Sequence, residues 1–95
     1  MKIRKTDVFA KWLDKLKDFQ AKARVLVQVE RLAMGNPGHT KPVGEGVSEL
    51  RIDFGPGYRV YYICRGDELI ILLAGGDKSS QPSDIRVAQR LAREL

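Results

Sequence analysis

The sequence predicts an α+β fold in which an antiparallel sheet packs against helices, in the order β-α-α-β-β-β-α. Three observations predict it. Apolar residues recur at helical spacing at Val8, Phe9, Trp12, Leu13 and Leu16, and again at Val25, Leu26, Val29, Leu32 and Ala33. Period-2 alternation runs through residues 49–62 on both sides of Gly55-Pro56-Gly57. Leu69 to Ala74 is a short unbroken apolar run, the pattern of a strand covered on both faces.

The elements follow in order. A short strand at Lys2 to Lys5 precedes Thr6 or Asp7, either of which can cap the first helix by accepting a bond from its free N–H groups. Trp12 lies on that helix's apolar stripe and is expected to pack there rather than stack on a ligand. A break within residues 18–22 leads to the second helix, which Gly35-Asn36-Pro37-Gly38 ends, so the two helices form an antiparallel hairpin. Residues 36–47, with His39, Lys41 and Gly44-Glu45-Gly46, read as a mobile loop. A three-residue turn at 55–57 pairs Phe54 with Tyr58, Ile52 with Val60, Leu50 with Tyr62, Asp53 with Arg59 and Arg51 with Tyr61. A tight turn at 65–68 then pairs Cys64 with Leu69. The expected core face is Leu50, Ile52, Phe54, Val60, Tyr62, Cys64, Leu69, Ile71 and Leu73, which makes Cys64 a buried, inert thiol. Ile70, Leu72 and Ala74 form an apolar floor on the opposite face, open to a partner. Ser83 or Asp84 caps a last helix from Ile85 to Leu95.

Composition sets limits on function. Ninety-five residues, 43% hydrophobic, fit one domain spanning 1–95. No apolar run is long enough to span a bilayer and no uncharged leader follows Met1, so a cytoplasmic protein without a membrane partner is expected. One cysteine and one histidine argue against a zinc or Cys/His site, and neither metal nor cofactor is expected. The net charge is +5, and residues 1–31 hold nine basic against four acidic groups, a field that favours anionic partners such as nucleic acid.

The sheet face opposite the core carries Glu49, Arg51, Asp53, Arg59 and Tyr61, and Lys78 follows the last strand at the same end. Cations beside an aromatic ring can hold a phosphate and stack a base. The same residues also describe a solvated face with cross-strand ion pairs, in which Asp53 holds Arg59.

The segments Glu49-Leu50-Arg51-Ile52-Asp53-Phe54-Gly55-Pro56-Gly57-Tyr58-Arg59-Val60-Tyr61-Tyr62 and Gly75-Gly76-Asp77-Lys78-Ser79-Ser80-Gln81, together with the element order, resemble the RelE/ParE superfamily of bacterial toxins. The loop Lys41-Pro42-Val43-Gly44-Glu45-Gly46 brings the likeness closest to the HigB-like, phage-derived addiction module killer branch. The resemblance implies a RelE-like fold and the toxin of a type II toxin–antitoxin system, neutralised by a cognate helix-turn-helix antitoxin and touching operator DNA only through that partner. It further implies an mRNA interferase, an endoribonuclease that cuts mRNA in the ribosomal A site without a metal. In that chemistry the substrate's 2′-hydroxyl attacks the adjacent phosphate, leaving a cyclic phosphate and a 5′-hydroxyl. Arg59 matches the family's arginine in its Gly-Tyr-Arg context, and Lys78 matches the cation after the last strand.

The candidate catalytic residues are therefore Arg59, Lys78, Arg51, Asp53 and Glu49, with Tyr61, Arg51, His39 and Lys41 as RNA contacts. Where the family's first hairpin strand presents lysines, this chain has Arg51 and Asp53, and the tyrosine of its last helix falls near Asp84. An arginine, with a pKa above about 12, clamps a phosphate but does not abstract a proton. Either Glu49, Asp53 or His39 then takes the proton, or the enzyme relies mainly on orienting the RNA within the ribosome. Two further readings share these residues: a ParE-like inhibitor of DNA gyrase, which has the fold without the cleavage residues, and a non-catalytic RNA-binding module. The latter expects lysines at the start of its last helix, where this chain has Ser80-Gln81-Pro82-Ser83-Asp84.

Overall fold

The computed structural model describes residues 1–95. Five strands and three helices follow one another as β1 (Lys2–Lys5), α1 (Asp7–Lys15), α2 (Phe19–Ala33), β2 (His39–Pro42), β3 (Ser48–Ile52), β4 (Tyr58–Arg65), β5 (Leu69–Gly76) and α3 (Gln81–Glu94), with one 3-10 turn at Lys78–Ser80 before α3. The sheet order is β1-β5-β4-β3-β2, and β1 runs parallel to β5 while the other pairings are antiparallel. The α+β class is as expected; the sheet is mixed rather than wholly antiparallel. No helix is long and apolar enough to cross a membrane.

Local chemistry sets the helix ends. The Thr6 hydroxyl accepts from the Phe9 N–H and donates to the Leu73 carbonyl, so one side chain both caps α1 and fastens it to β5. Asp18 caps α2 by accepting from the N–H groups of Gln20 and Ala21. Past the last turn of α2, Gly35 adopts a φ of 89°, the left-handed conformation that glycine reaches without steric cost. The last helix begins earlier than the sequence suggests. Asp77 caps the 3-10 turn, Pro82 occupies the first turn of α3, and Ser83 and Asp84 lie inside the helix.

Two cores lie on the two faces of the sheet. Against α1 and α2 pack Leu50, Ile52, Val60, Tyr62, Ile70 and Leu72, meeting Phe9, Leu13, Val25, Val29 and Leu32. Against α3 pack Val47, Tyr61, Ile71, Leu73 and Ala74, with Ala88 fully enclosed. Trp12 is packed, as its stripe implies. Its indole fills the space beside Gly75, where any Cβ would overlap the ring.

The expected faces hold on β3 and β4 but reverse on β5. Pairing steps from Tyr61↔Ala74 to Tyr62↔Leu72, and this β-bulge leaves Leu73 as the extra residue, so Cys64 faces Ile70 rather than Leu69. A one-residue change of register inverts every side chain beyond it. Ile70 and Leu72 therefore belong to the first core, and Leu69, Ile71 and Leu73 to the second. The apolar floor expected to await a partner is therefore not there: Ile70 and Leu72 are buried under α1 and α2, and Ala74, with Ile71 and Leu73, is covered by α3 through Ile85, Leu91 and Ala92. Cys64 is exposed at the end of β4, although partial desolvation still raises its thiol pKa.

Residues 36–47 are also more ordered than a simple loop. β2 pairs with β3, and a tight turn with Val43 and Val47 at its ends is tied to α3 by a bond from the Gln89 amide to the Val43 carbonyl and by the Arg93–Glu45 ion pair.

Candidate functional site

The β3–β4 connection decides the site. The strands pair Ile52↔Tyr58, Arg51↔Arg59, Leu50↔Val60 and Glu49↔Tyr61, two residues away from the expected register. The connection is accordingly Asp53–Gly57, closed by the Gly57 N–H donating to the Phe54 carbonyl and using positive φ at Gly55 and Gly57. A shift of two preserves the faces, so Glu49, Arg51, Arg59 and Tyr61 still point to one side. It changes who opposes whom. Arg51 now faces Arg59 directly, an arrangement in which Cα atoms lie about 4.5 to 5.5 Å apart and like charges repel.

Each arginine is held by its own carboxylate. Arg59 is nearly enclosed, and its Nε donates to Glu49 Oε1 at 3.1 Å while one terminal nitrogen donates to the Gly57 carbonyl at 2.6 Å. The other oxygen of buried Glu49 accepts from the Gln81 amide at 2.8 Å, which couples the start of α3 to the position of Arg59. Arg51 is about half exposed and pairs with Asp53 at 3.1 Å. The second terminal nitrogen of Arg59 has no protein partner among these bonds, leaving a donor on a guanidinium whose plane is fixed at its other two nitrogens.

This guanidinium lines a concavity of about 210 Å³ formed by His39, Thr40, Lys41, Glu49, Arg51 and Arg59, with no hydrophobic residue. β2 supplies the near wall because His39 lies opposite Arg51 and Lys41 opposite Glu49. His39 Nε2 is 3.9 Å from Asp53 Oδ2. Lys78 is exposed, and its main chain bonds to Pro56 beside Gly57; a Cβ on Gly57 would lie 3.1 Å from the Arg59 guanidinium and 3.7 Å from the Lys78 Cβ. The site is thus a polar basin whose lining includes the cationic side chains of Lys41, Arg51 and Arg59, with an imidazole–carboxylate pair at its edge.

The model of the phage-derived Gp49-like protein family (DUF891) matches residues 11–93. This chain belongs to the Gp49-like family. A Haemophilus influenzae protein described as uncharacterized is 50% identical over 95 residues, covering the whole of this chain and 96% of its own. Every residue of the basin and Lys78 lies inside the family match.

Several sequence expectations for this Gp49-like chain need correction. Tyr61 is fully buried between the sheet and α3, so it cannot stack on a base. Its hydroxyl has no hydrogen-bond partner, and burial, reinforced by the Glu49 and Asp84 carboxylates and only partly offset by Arg59, raises its pKa well beyond the ordinary tyrosine range. Both oxygens of Glu49 are engaged, which makes it the holder of Arg59 rather than an open proton acceptor. The ion pair imagined between Asp53 and Arg59 is replaced by Asp53–Arg51 and Glu49–Arg59. Sequence reasoning missed Gln81. An amide at the start of a helix carries no periodic signal, and only docking of α3 brings it to Glu49.

Proposed function

We propose that this Gp49-like protein is the toxin of a type II toxin–antitoxin system, with a RelE-type fold, and that it acts as an endoribonuclease on mRNA in the ribosomal A site. The observation that carries the reading is the pair of arginines directly opposite each other at a basin without apolar lining. Both arginines line the basin from opposed positions on neighbouring strands, so an anion seated there meets a guanidinium from each strand. A phosphodiester is such an anion, and the charge that develops on its phosphorane strengthens the same contacts.

In the proposed reaction the substrate's 2′-oxygen bonds to phosphorus as the bond from phosphorus to the 5′-oxygen breaks, giving a cyclic phosphate and a free 5′-hydroxyl. His39 takes the 2′-hydroxyl proton, with Asp53 beside it to stabilise the imidazolium. The open terminal nitrogen of Arg59 donates to a phosphorane oxygen, Arg51 and Lys41 hold the flanking backbone, and the Lys78 ammonium protonates the leaving 5′-oxygen. The Gp49-like family supports the toxin reading, and a cognate helix-turn-helix antitoxin is the expected partner.

The test is induced expression without antitoxin, with mapping of mRNA 5′ ends. Growth arrest with new 5′ ends clustered in translated frames is the expected result. Arrest with intact mRNA and gyrase-dependent chromosome breaks would replace the nuclease with a gyrase inhibitor.

A further inference from the structure

A second concavity, of about 610 Å³, opens between α2 and the β2–β3 edge and meets the basin at His39 and Arg51. Only three of its 11 lining residues are hydrophobic, so an apolar ligand has little to bury there. Its α2 wall presents Arg24 and Arg31, seven residues and so about 10 Å apart along the helix axis. Neither lies within 4.0 Å of a carboxylate, and the groove's one acid, Asp53, is already shared by Arg51 and His39. Arg24 is placed by its contact with the face of Phe54, at 4.6 Å from the ring centroid.

The groove therefore holds two unneutralised guanidiniums spread along its length, on the half of the chain that carries most of the positive field. Separated cations suit a chain of charges better than one compact anion. We infer that this groove is a second nucleic-acid site, in which Arg24 and Arg31 contact backbone phosphates of the single-stranded RNA that continues past His39 from the basin. The inference rests on the ribonuclease reading and extends it from the scissile phosphate to the path of the strand. Arg24 and Arg31 act as binding residues remote from the reacting bond.

The experiment compares wild type with R24Q/R31Q by fluorescence anisotropy at low salt. One labelled RNA has about four nucleotides, enough for the basin alone, and another about twelve, within the range of known single-strand site sizes. Wild type is expected to bind the longer RNA more tightly. The double variant should lose most of that gain, binding the longer RNA about tenfold more weakly and the shorter one unchanged. Its salt slope should fall by about 1.4, at roughly 0.7 for each phosphate contact on a single strand. R24K/R31K should recover most of the binding, and circular dichroism reports whether the glutamine variant is folded.

If a folded R24Q/R31Q bound both RNAs as wild type does, the groove would not be an RNA path, and the basin reading would stand. Wild type binding neither RNA would overturn the groove assignment, while the basin reading stands or falls on the mapped mRNA 5′ ends. A variant with unchanged RNA binding that escaped neutralisation by co-expressed antitoxin would identify the groove as an antitoxin-docking surface and overturn the RNA assignment.

Discussion

Arg59 is the residue whose surroundings are most specialised. Burial makes its interaction with Glu49 strong and also makes Glu49 indispensable, since an uncompensated buried cation is costly. Removing one preorganised cation from a developing phosphorane should lower the cleavage rate on the order of 10² to 10³. Arg59→Ala should therefore abolish growth arrest, whereas Arg59→Lys keeps the charge, loses the planar fork and should retain partial activity. Expression of both variants at equal level, followed by growth and mRNA cleavage, checks this; full toxicity from a folded alanine variant would remove the basin from consideration. Tyr61 gives the opposite expectation. Its buried hydroxyl lacks a partner, and an unsatisfied group of this kind costs about 1 to 3 kcal/mol, so Tyr61→Phe should match or exceed wild-type stability and keep its toxicity. Loss of toxicity by a stable phenylalanine variant would mean that the phenol reaches the substrate.

At the scale of elements, the passage from β5 into α3 carries Gln81 to the Glu49 that holds Arg59. Gly76 lies against Asp84 and Ser80 so closely that a Cβ would collide with both, and the Ser80 hydroxyl donates to Asp84 Oδ2 at 2.5 Å. Burial raises the Asp84 pKa, and Asp77 adds to the shift while the Ser80 bond opposes it. An acid raised on folding binds its proton more tightly in the folded state. Its contribution is present below the ordinary carboxylate range and is lost as pH rises through the raised value. Asp77 has the reverse sign: its bonds to Ser79 lower its pKa, and the stability it contributes is lost as pH falls through that lowered value. Asp84→Asn keeps an acceptor for Ser80 and removes a partly buried charge. Its melting temperature should exceed that of wild type at neutral pH, and the difference should shrink in acid. A loss at neutral pH would show that attraction of the carboxylate to the α3 N-terminus outweighs its desolvation.

For the whole molecule, the sheet is the shared wall of two cores, and its stability depends on both. Ile52 faces α1 and α2, while Ile71 faces α3. Truncating either to alanine should cost about 2 to 5 kcal/mol. The two variants should differ in function if they remain folded. Ile71→Ala loosens the α3 side that holds Gln81 against Glu49 and should reduce cleavage beyond its loss of folded protein, whereas Ile52→Ala should reduce activity only in proportion. Urea denaturation alongside cleavage per folded molecule separates them, and equal losses in both would argue against positioning of Arg59 through α3.

The sequence by itself determined the α+β class, the two helices α1 and α2, the alternation that puts Glu49, Arg51, Arg59 and Tyr61 on one side, and the packing of Trp12. These follow from periodicity, which is local and survives a register shift of two. Tertiary structure decided what periodicity cannot carry. The choice between a three-residue and a five-residue connection at 53–57 set Arg51 against Arg59, because pairing register depends on the fit of both strands to their neighbours. The bulge at Leu73 sent Ile71 to α3 and Ile70 to α1 and α2, since either face of an all-apolar strand can be buried and composition does not choose between them. Docking of α3 then buried Tyr61 and brought Gln81 to Glu49, contacts between residues 20 and more positions apart that form only when the second core closes.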